Sequence, residues 1–180
     1  GDVYKRQVFT QSGLDDTATG TVVTINSADY EFTDLPYNVW ADEGLTFTYS
    51  YQDVVLSSTA GKRFKLVGVS GPTSPFTVTG PVTVTGNYKI QYQVTFDQTG
   101  LDSSATGTVV TFNGTPLDYG CLPVSQWLNE GTTVTYSYES IVSSTTQGKR
   151  FSLSSVTGPT SPFTVDGPKT IIGNYLTQYY

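Results

Sequence analysis

The chain has 180 residues, a formal net charge of −6 and 13% charged residues, about half the share that is typical of globular domains. It has no His, no Met and one Cys, which excludes an imidazole relay, an imidazole metal ligand and a disulfide within the chain. The negative charge also argues against nucleic-acid binding, because neutralising phosphates requires clustered Lys and Arg.

The first seven residues differ in character from the rest of the chain. Residues 2–7 resemble the in-frame translation of a sequencing adapter, a contaminant of assembled environmental DNA, so we interpret residues 1–7 as a non-native segment. On this interpretation the natural chain begins upstream, and the lack of a signal peptide carries no information about secretion. No apolar run approaches the roughly 20 residues that span a bilayer, so no membrane span is expected in this fragment.

The chain repeats itself at an offset of about 87 positions. With this shift, residues 9–93 align with residues 96–180 without a gap, and about 48 of about 85 aligned positions are identical. We therefore predict two domains, residues 8–91 and residues 92–180. We interpret them as a window cut from a longer array, so that further copies of the same repeat are their partners in the parent chain.

Both copies are predicted to consist of β-strands. Phe47, Tyr49 and Tyr51 alternate with Thr and Ser, which indicates a strand with one buried face. Similar short runs occur at residues 21–26, 63–69, 76–79 and 82–85, and Gly-Pro pairs punctuate the chain. No stretch of about ten residues has a helical period, which excludes a β-grasp domain. About seven strands in about 87 residues predict an all-β fold of two tandem immunoglobulin-like β-sandwiches.

The boundary between the two copies contains no flexible linker sequence. Residues 88–96 keep a single apolar–polar alternation and contain no Gly, Pro or Ser. We therefore expect the last strand of one unit to run directly into the first strand of the next. Such a junction favours a stiff rod over a string of freely tumbling domains.

A set of residues in the second copy carries a family resemblance. They are Trp127, residues 129–134, residues 148–151, residues 165–170 and residues 173–175. They resemble the tandem immunoglobulin-like repeats of prokaryotic cell-surface and adhesin-like proteins, and the likeness covers residues 8–180. The resemblance implies an extracellular, multi-copy stalk without catalytic residues, and it assigns no binding partner.

One candidate site is a covalent crosslink within each copy. The residues that it requires are kept in both copies: Lys62, Glu43 and Asn87 in the first, and Lys149, Glu130 and Asn174 in the second. A buried, neutral lysine amine can condense with an Asn amide while the acid transfers protons. We favour the alternative, an exposed turn, because Lys62 and Arg63 place two cations side by side.

The two tryptophans are a second candidate site. Trp40 and Trp127 lie in matching Leu-Pro-x-x-x-Trp-x-x-Glu-Gly segments. An exposed indole at these positions could stack on a sugar ring. We favour a structural role, in which each indole fills the core of its sandwich or covers the rim.

Three further groups have both a functional and a structural interpretation. Asp15, Asp16 and Asp102 could offer oxygen ligands to Ca²⁺, but turn formation is favoured because the second copy lacks the counterpart of Asp16. Asn113 begins a glycosylation sequon that the first copy lacks, and a turn Asn explains it equally well. Cys121 could bridge two chains, but we favour a buried or partly buried thiol that fills space. No metal and no cofactor is predicted.

These observations together predict a non-enzymatic structural module that acts as a semi-rigid spacer in an extracellular stalk or fibre. One alternative is an adhesin module that binds glycan or protein, which would require exposed aromatic side chains at corresponding places in both units. Another alternative is a self-assembling filament, in which a neighbouring subunit completes a truncated first strand. A hydrolase that uses Asp and Glu pairs is the least favoured, because no such pair lies apart from turn positions.

Overall fold

The computed structural model describes residues 4–180, so the first three residues of the predicted non-native segment lie outside the described residues. The described chain is all-β, as predicted, with two short 3-10 turns and no α-helix between residues 4 and 180. It divides into two compact units, the first ending at Gln91 and the second running from Tyr92 to Tyr180.

Unit 1 contains strands β1 to β10 and the first part of β11. Their bounds are β1 Tyr4–Ser12, β2 Ala18–Thr19, β3 Thr21–Ile25, β4 Ala28–Glu31, β5 Tyr37–Asp42, β6 Thr46–Phe47, β7 Tyr49–Tyr51, β8 Val54–Ser57, β9 Lys62–Ser70, β10 Phe76–Thr77 and β11 Val82–Thr99. Strand β1 pairs antiparallel with β5 and parallel with β11, and β9, β8 and β2 continue that sheet. A second sheet has the order β4-β3-β7, and β6 pairs with β10.

Unit 2 contains the second part of β11 and strands β12 to β21. Their bounds are β12 Ala105–Thr106, β13 Thr108–Phe112, β14 Thr115–Asp118, β15 Val124–Asn129, β16 Thr133–Val134, β17 Tyr136–Tyr138, β18 Ile141–Ser144, β19 Lys149–Thr157, β20 Phe163–Thr164 and β21 Lys169–Tyr179. Strand β11 pairs parallel with β21, and β19, β18 and β12 follow in order. The smaller ladders are β14-β13-β17 and β16-β20. Each strand from β12 to β21 begins about 87 positions after its counterpart in unit 1.

The strand that we predicted over residues 46–51 is divided between two ladders. Strand β6 pairs with β10, whereas β7 pairs with β3. The chain changes ladder at Thr48, whose N–H donates to Asn26 Oδ1 at 2.9 Å. The predicted alternation is nevertheless confirmed, because Phe47 and Tyr51 are buried. Interruptions of this kind explain why each unit has more and shorter strands than the sequence pattern predicts.

Each unit has its own aromatic core. In unit 1, the ring centres of Phe9 and Phe47 are 5.7 Å apart. Unit 2 carries Val134 at the position of Phe47 and supplies the second ring from β13, where the ring of Phe112 lies 4.8 Å from that of Phe96. The second ring of the core therefore comes from β6 in unit 1 and from β13 in unit 2. Cores tolerate such exchanges best because the total side-chain volume is kept.

A buried tyrosine connects the sheets of unit 1. The Tyr51 hydroxyl, on β7, donates to the carbonyl oxygens of Thr10 at 2.7 Å and Val84 at 3.2 Å, which belong to β1 and β11. Gly86 leaves room for this ring, since a Cβ at position 86 would lie 2.3 Å from Cδ1 of Tyr51. Tyr138 makes the equivalent contacts in unit 2. Each unit is therefore held together by a polar bond inside its core.

Residues 4–7 form the beginning of β1. Gln7 is fully buried, and its Nε2 donates to the carbonyl oxygen of Gly80 at 2.9 Å. Its Oε1 is buried and has no hydrogen-bond partner among the described residues. The second copy has Val94, 1% exposed, at this position. A polar side chain therefore occupies an inward position that unit 2 fills with an apolar one.

Candidate functional site

An ion pair with a buried lysine lies at the same position in each unit. Lys62, the first residue of β9, places Nζ 2.5 Å from Asp15 Oδ2 and 5.2 Å from the centre of the Phe64 ring. The Lys62 side chain is only 9% exposed, so the prediction of an exposed turn at this lysine is wrong, because the Asp15 carboxylate compensates the buried charge. In unit 2, Lys149 Nζ lies 2.5 Å from Asp102 Oδ2. The pair fastens the loop that follows the first strand to the start of a central strand.

Both aspartates are held in their ionised form. Burial raises the pKa of Asp15, but hydrogen bonds from Lys62 and Thr17 outweigh it, so that the pKa lies below its ordinary value. Hydrogen bonds from Lys149 and Ser104 lower the pKa of Asp102 to about 2. A carboxylate beside an ammonium group forms a salt bridge, whereas condensation to an amide requires a neutral amine. The geometry and charge of these sites favour a non-covalent ion pair.

The three residues of the predicted crosslink in unit 1 have separate partners. Lys62 is bound to Asp15, as described above. The Asn87 side chain is bound to two serine hydroxyls, at 2.8 and 3.0 Å. Glu43 lies 4.0 Å from Lys5. No hydrogen bond or ion pair in the described part of the chain joins Lys62, Glu43 and Asn87 to one another.

The second copy shows the same separation. Lys149 is bound to Asp102, and the Asn174 side chain is bound to three hydroxyls, at 2.8, 3.0 and 3.1 Å. Glu130 is exposed. Sequence reasoning missed the aspartates as the lysine partners, although the motif Gly-Leu-Asp is kept in both copies and could have indicated them.

The two tryptophans differ in exposure. Trp40 is 67% exposed, whereas Trp127 is half-buried. The prediction that Trp40 fills the core or covers its rim is therefore wrong. The reason is the alternation along β5, in which Ala41 is buried and its neighbours Trp40 and Asp42 face the opposite, exposed side.

The aspartate loops use their oxygens within the protein. Asp15 Oδ1 accepts from the backbone N–H and the hydroxyl of Thr17, at 2.9 and 2.5 Å, while Oδ2 accepts from Lys62. Asp102 makes the equivalent bonds with Ser104 and Lys149. Between residues 4 and 180, no group of three or more His, Cys, Asp or Glu could hold a metal ion. These bonds are those of a turn, which is the role that we favoured.

Asn113 has a structural role that both copies share. It has a φ of 45° in the turn between β13 and β14, and its Oδ1 accepts from the Thr135 N–H at 2.8 Å. Asn26 does the same in unit 1, with a φ of 46° and a 2.9 Å bond to the Thr48 N–H. Because Asn tolerates positive φ, the turn accounts for Asn at both positions. Glycosylation of Asn113, which is exposed, stays a prediction.

Cys121 is exposed, so the prediction of a buried or partly buried thiol is wrong. It ends a 3-10 turn, Tyr119–Cys121, and its backbone N–H donates to Asp118 Oδ1 at 3.1 Å. Both partners of this bond are exposed, so the turn lies on the surface of the unit. No residue in the turn is buried.

A shallow hollow of about 540 Å³ lies beside the end of β21. Its lining consists of Arg150, Gln178, Tyr179 and Tyr180. Arg150 Nε donates to Gln178 Oε1 at 2.8 Å, and the two tyrosines are 76% and 98% exposed. The hollow therefore combines one cation with two exposed aromatic rings.

The fold and these sites define a class of protein: an all-β chain whose two units have the same order of strands and the same lysine–aspartate ion pair. A scan against protein-family models finds no match for the chain, and a search of curated proteins finds none either. Within residues 4–180, no helix has the length and apolar character needed to cross a membrane.

Proposed function

We propose that the chain is a non-enzymatic structural module of an extracellular stalk or fibre on a prokaryotic cell, in which its two units act as a semi-rigid spacer. The observation that carries the proposal is that the same ion pair and the same tyrosine hydrogen bond occur in both units. The Lys62–Asp15 pair recurs as Lys149–Asp102 at the same 2.5 Å, and the Tyr51 hydroxyl bond recurs at Tyr138. The charged and hydroxyl groups of these residues therefore bind other parts of the same unit.

We propose that each unit is an immunoglobulin-like β-sandwich. Two observations in unit 1 support it. The Tyr51 hydroxyl reaches from the β4-β3-β7 sheet to β1 and β11 of the other sheet. The Tyr88 hydroxyl, on β11, donates to the Gln52 carbonyl oxygen at 2.8 Å, next to the end of β7. Side chains from both sheets belong to one buried cluster, as the two layers of a sandwich require.

The semi-rigid character of the spacer is proposed from strand β11. This strand runs from Val82 to Thr99 without interruption and includes the boundary at Gln91. Strand residues that are paired in a sheet have far less conformational freedom than a Gly- and Ser-rich linker. A junction of this kind would transmit force and preserve length.

The alternatives are less well supported. An adhesin module was expected to expose aromatic rings at corresponding places, but Trp40 is exposed while Trp127 is half-buried. A filament built by strand complementation was expected to leave a gap at the first strand. Strand β1 is paired on both sides, with β5 and β11, so that this place is occupied.

Small-angle X-ray scattering on chains with added repeats tests the spacer function. One and two further copies of residues 92–180 would be appended to the natural pair. We expect the maximum dimension to rise by a constant step, roughly 30–40 Å per repeat, the size of a compact unit of this length. A matched control carries a Gly-Ser linker inserted after Gln91 and should give a broader distance distribution. Equal distributions with and without the linker, or a dimension that stops rising, would contradict the proposal.

A further inference from the structure

Two tyrosine rings lie against each other in unit 1. Tyr30, on β4, and Tyr37, on β5, have ring centres 4.3 Å apart, with an angle of 41° between the ring planes. Both side chains are half-buried and pack against the core of the unit. Packing therefore restricts the motion of the two rings, while part of each stays in contact with solvent. We call these two residues the Tyr30–Tyr37 pair.

The hydroxyl ends of the two rings are neighbours as well. Hydrogen bonding to Tyr37 is the main reason why the pKa of Tyr30 is raised to about 12 from its ordinary value of 10.0, and burial adds to it. Tyr30 therefore keeps its proton at neutral pH. The ortho carbons of a phenol flank the carbon that bears the hydroxyl group. Two rings that meet at their hydroxyl ends, with centres this close, therefore also bring their ortho carbons together.

We propose that the Tyr30–Tyr37 pair is a site of oxidative crosslinking, at which a one-electron oxidising peroxidase with hydrogen peroxide joins the two rings by a carbon–carbon bond. Each phenol loses one electron and one proton, and the two radicals combine at their ortho carbons. A proton then moves from each of these carbons to its phenol oxygen, which restores both aromatic rings. In total, two hydrogen atoms leave the pair and one hydrogen peroxide is reduced to two waters. Because the fold already holds the rings together, the coupling step requires no encounter between chains.

The other tyrosine pairs in ring contact within the described part of the chain are arranged differently. Tyr49 with Tyr51, and Tyr136 with Tyr138, meet edge to face, with ring centres 5.9 and 6.0 Å apart. Their hydroxyls donate to backbone carbonyl oxygens, as that of Tyr49 does to Pro72 at 2.6 Å. An edge-to-face contact does not place the ortho carbons of two rings opposite each other. We therefore expect these pairs to couple less readily than the Tyr30–Tyr37 pair.

The tyrosine crosslink joins two strands that are not paired with each other. Strand β4 belongs to the β4-β3-β7 sheet, whereas β5 pairs with β1, so the new bond connects the two sheets of unit 1 covalently. Unit 2 carries Leu117 and Val124 at the corresponding positions, so the site is specific to unit 1. The proposal goes beyond the spacer role, which requires no covalent bond between sheets, and either proposal can fail without the other.

Oxidation of the full chain with a haem peroxidase and hydrogen peroxide tests the site. The oxidant is raised until Tyr180, which is 98% exposed, has reacted, and the monomer fraction is then isolated. A protease that cleaves after Glu separates Tyr30 from Tyr37 at Glu31. We expect peptides 1–31 and 32–43 to remain joined, with a combined mass that is lower by two hydrogen atoms, and the monomer to show biphenol fluorescence.

Three variants assign the crosslink to its residues. Tyr30→Phe and Tyr37→Phe remove one hydroxyl each and keep the ring, so both should lose the joined peptide and the fluorescence of the monomer. Tyr4→Phe is the matched control, because Tyr4 is the other tyrosine of peptide 1–31, and this variant should keep both signals. A joined peptide that persists in Tyr30→Phe would overturn the proposal. So would a wild-type monomer in which Tyr180 has reacted while peptides 1–31 and 32–43 stay separate.

Discussion

Replacing Gln7 with Val should stabilise unit 1. The Gln7 side chain is fully buried, and its unpaired Oε1 costs about 1–3 kcal/mol of unfolding free energy. The substitution removes this oxygen, but it also removes the Nε2 bonds to the Gly80 carbonyl at 2.9 Å and to the Lys5 carbonyl at 3.3 Å, which together contribute about 1–1.5 kcal/mol. Gly80 is half-buried, so water can replace the lost donor. With the added apolar burial of Val, we expect a net gain of about 1–2 kcal/mol, or roughly 4–16 °C in melting temperature for a unit of this size.

The matched control is Val94→Gln, which introduces the same side chain at the corresponding place in unit 2. It should destabilise that unit by about 1–3 kcal/mol, since it buries a polar group where none is now present. Urea unfolding followed by hydrogen exchange and mass spectrometry assigns each change to its own unit, because the peptides of the two units are distinct in sequence. If Gln7→Val lowers the stability of unit 1, the Nε2 bonds outweigh the unpaired oxygen and the reasoning is refuted.

Four further predictions concern the ties within the units. Gly173→Ala would place a Cβ 2.4 Å from Cδ1 of the buried Tyr138 ring. We therefore expect the free energy of unfolding, measured in urea, to fall by about 1–3 kcal/mol. An unchanged unfolding midpoint would mean that the ring can move aside. The pKa of Asp102 is lowered to about 2 from 3.8, so the stability that it contributes is present above pH 3.8 and is lost as the pH falls towards 2. In Asp102→Asn, the free energy of unfolding should therefore depend less on pH between about 2 and 4. The same pH dependence in this variant would exclude the aspartate as its source. Burial raises the pKa of Tyr175 to about 12 from 10.0, so its contribution to stability is complete below pH 10 and is lost between pH 10 and 12. In Tyr175→Phe, the free energy of unfolding should therefore fall less steeply with pH in this range. An equal slope in the wild type and the variant would count against this assignment. The ion pairs of the two lysines predict an intact mass equal to that of the plain sequence, whereas the crosslink hypothesis predicts the loss of one ammonia per unit.

The strands could be predicted from the sequence because their signal is local. Alternation at Phe47 and Tyr51 reports which side chains share a face, and the structure buries both. The change of ladder at Thr48 could not be predicted, because it depends on a bond to Asn26, more than 20 residues away in sequence. The alternation of apolar and polar residues predicts which side chains of a strand are buried. Hydrogen bonds between residues that are distant in sequence decide with which neighbour each strand pairs.

The candidate sites were less predictable, because their chemistry depends on partners that are distant in sequence. Lys62 was grouped with Glu43 and Asn87 because all three are kept in both copies, yet its bound partner is Asp15. Identity between the two copies shows that a residue type is retained, but it does not show with which residue it interacts. The exposure of Trp40 was missed for a related reason, since a large apolar residue is usually assigned to the inside and only the pairing of β5 shows which of its faces is outward.

The two units act as natural variants of one another, and their differences show which residues of the core can be exchanged. Core positions exchange freely, since Phe47 is replaced by Val134 while the ring is supplied by Phe112. The indole at position 40 is kept as Trp127, but its surroundings differ between the units, since Trp40 is 67% exposed and Trp127 is half-buried. Identity of a residue type in the two copies therefore does not fix its exposure, which differs from one unit to the other.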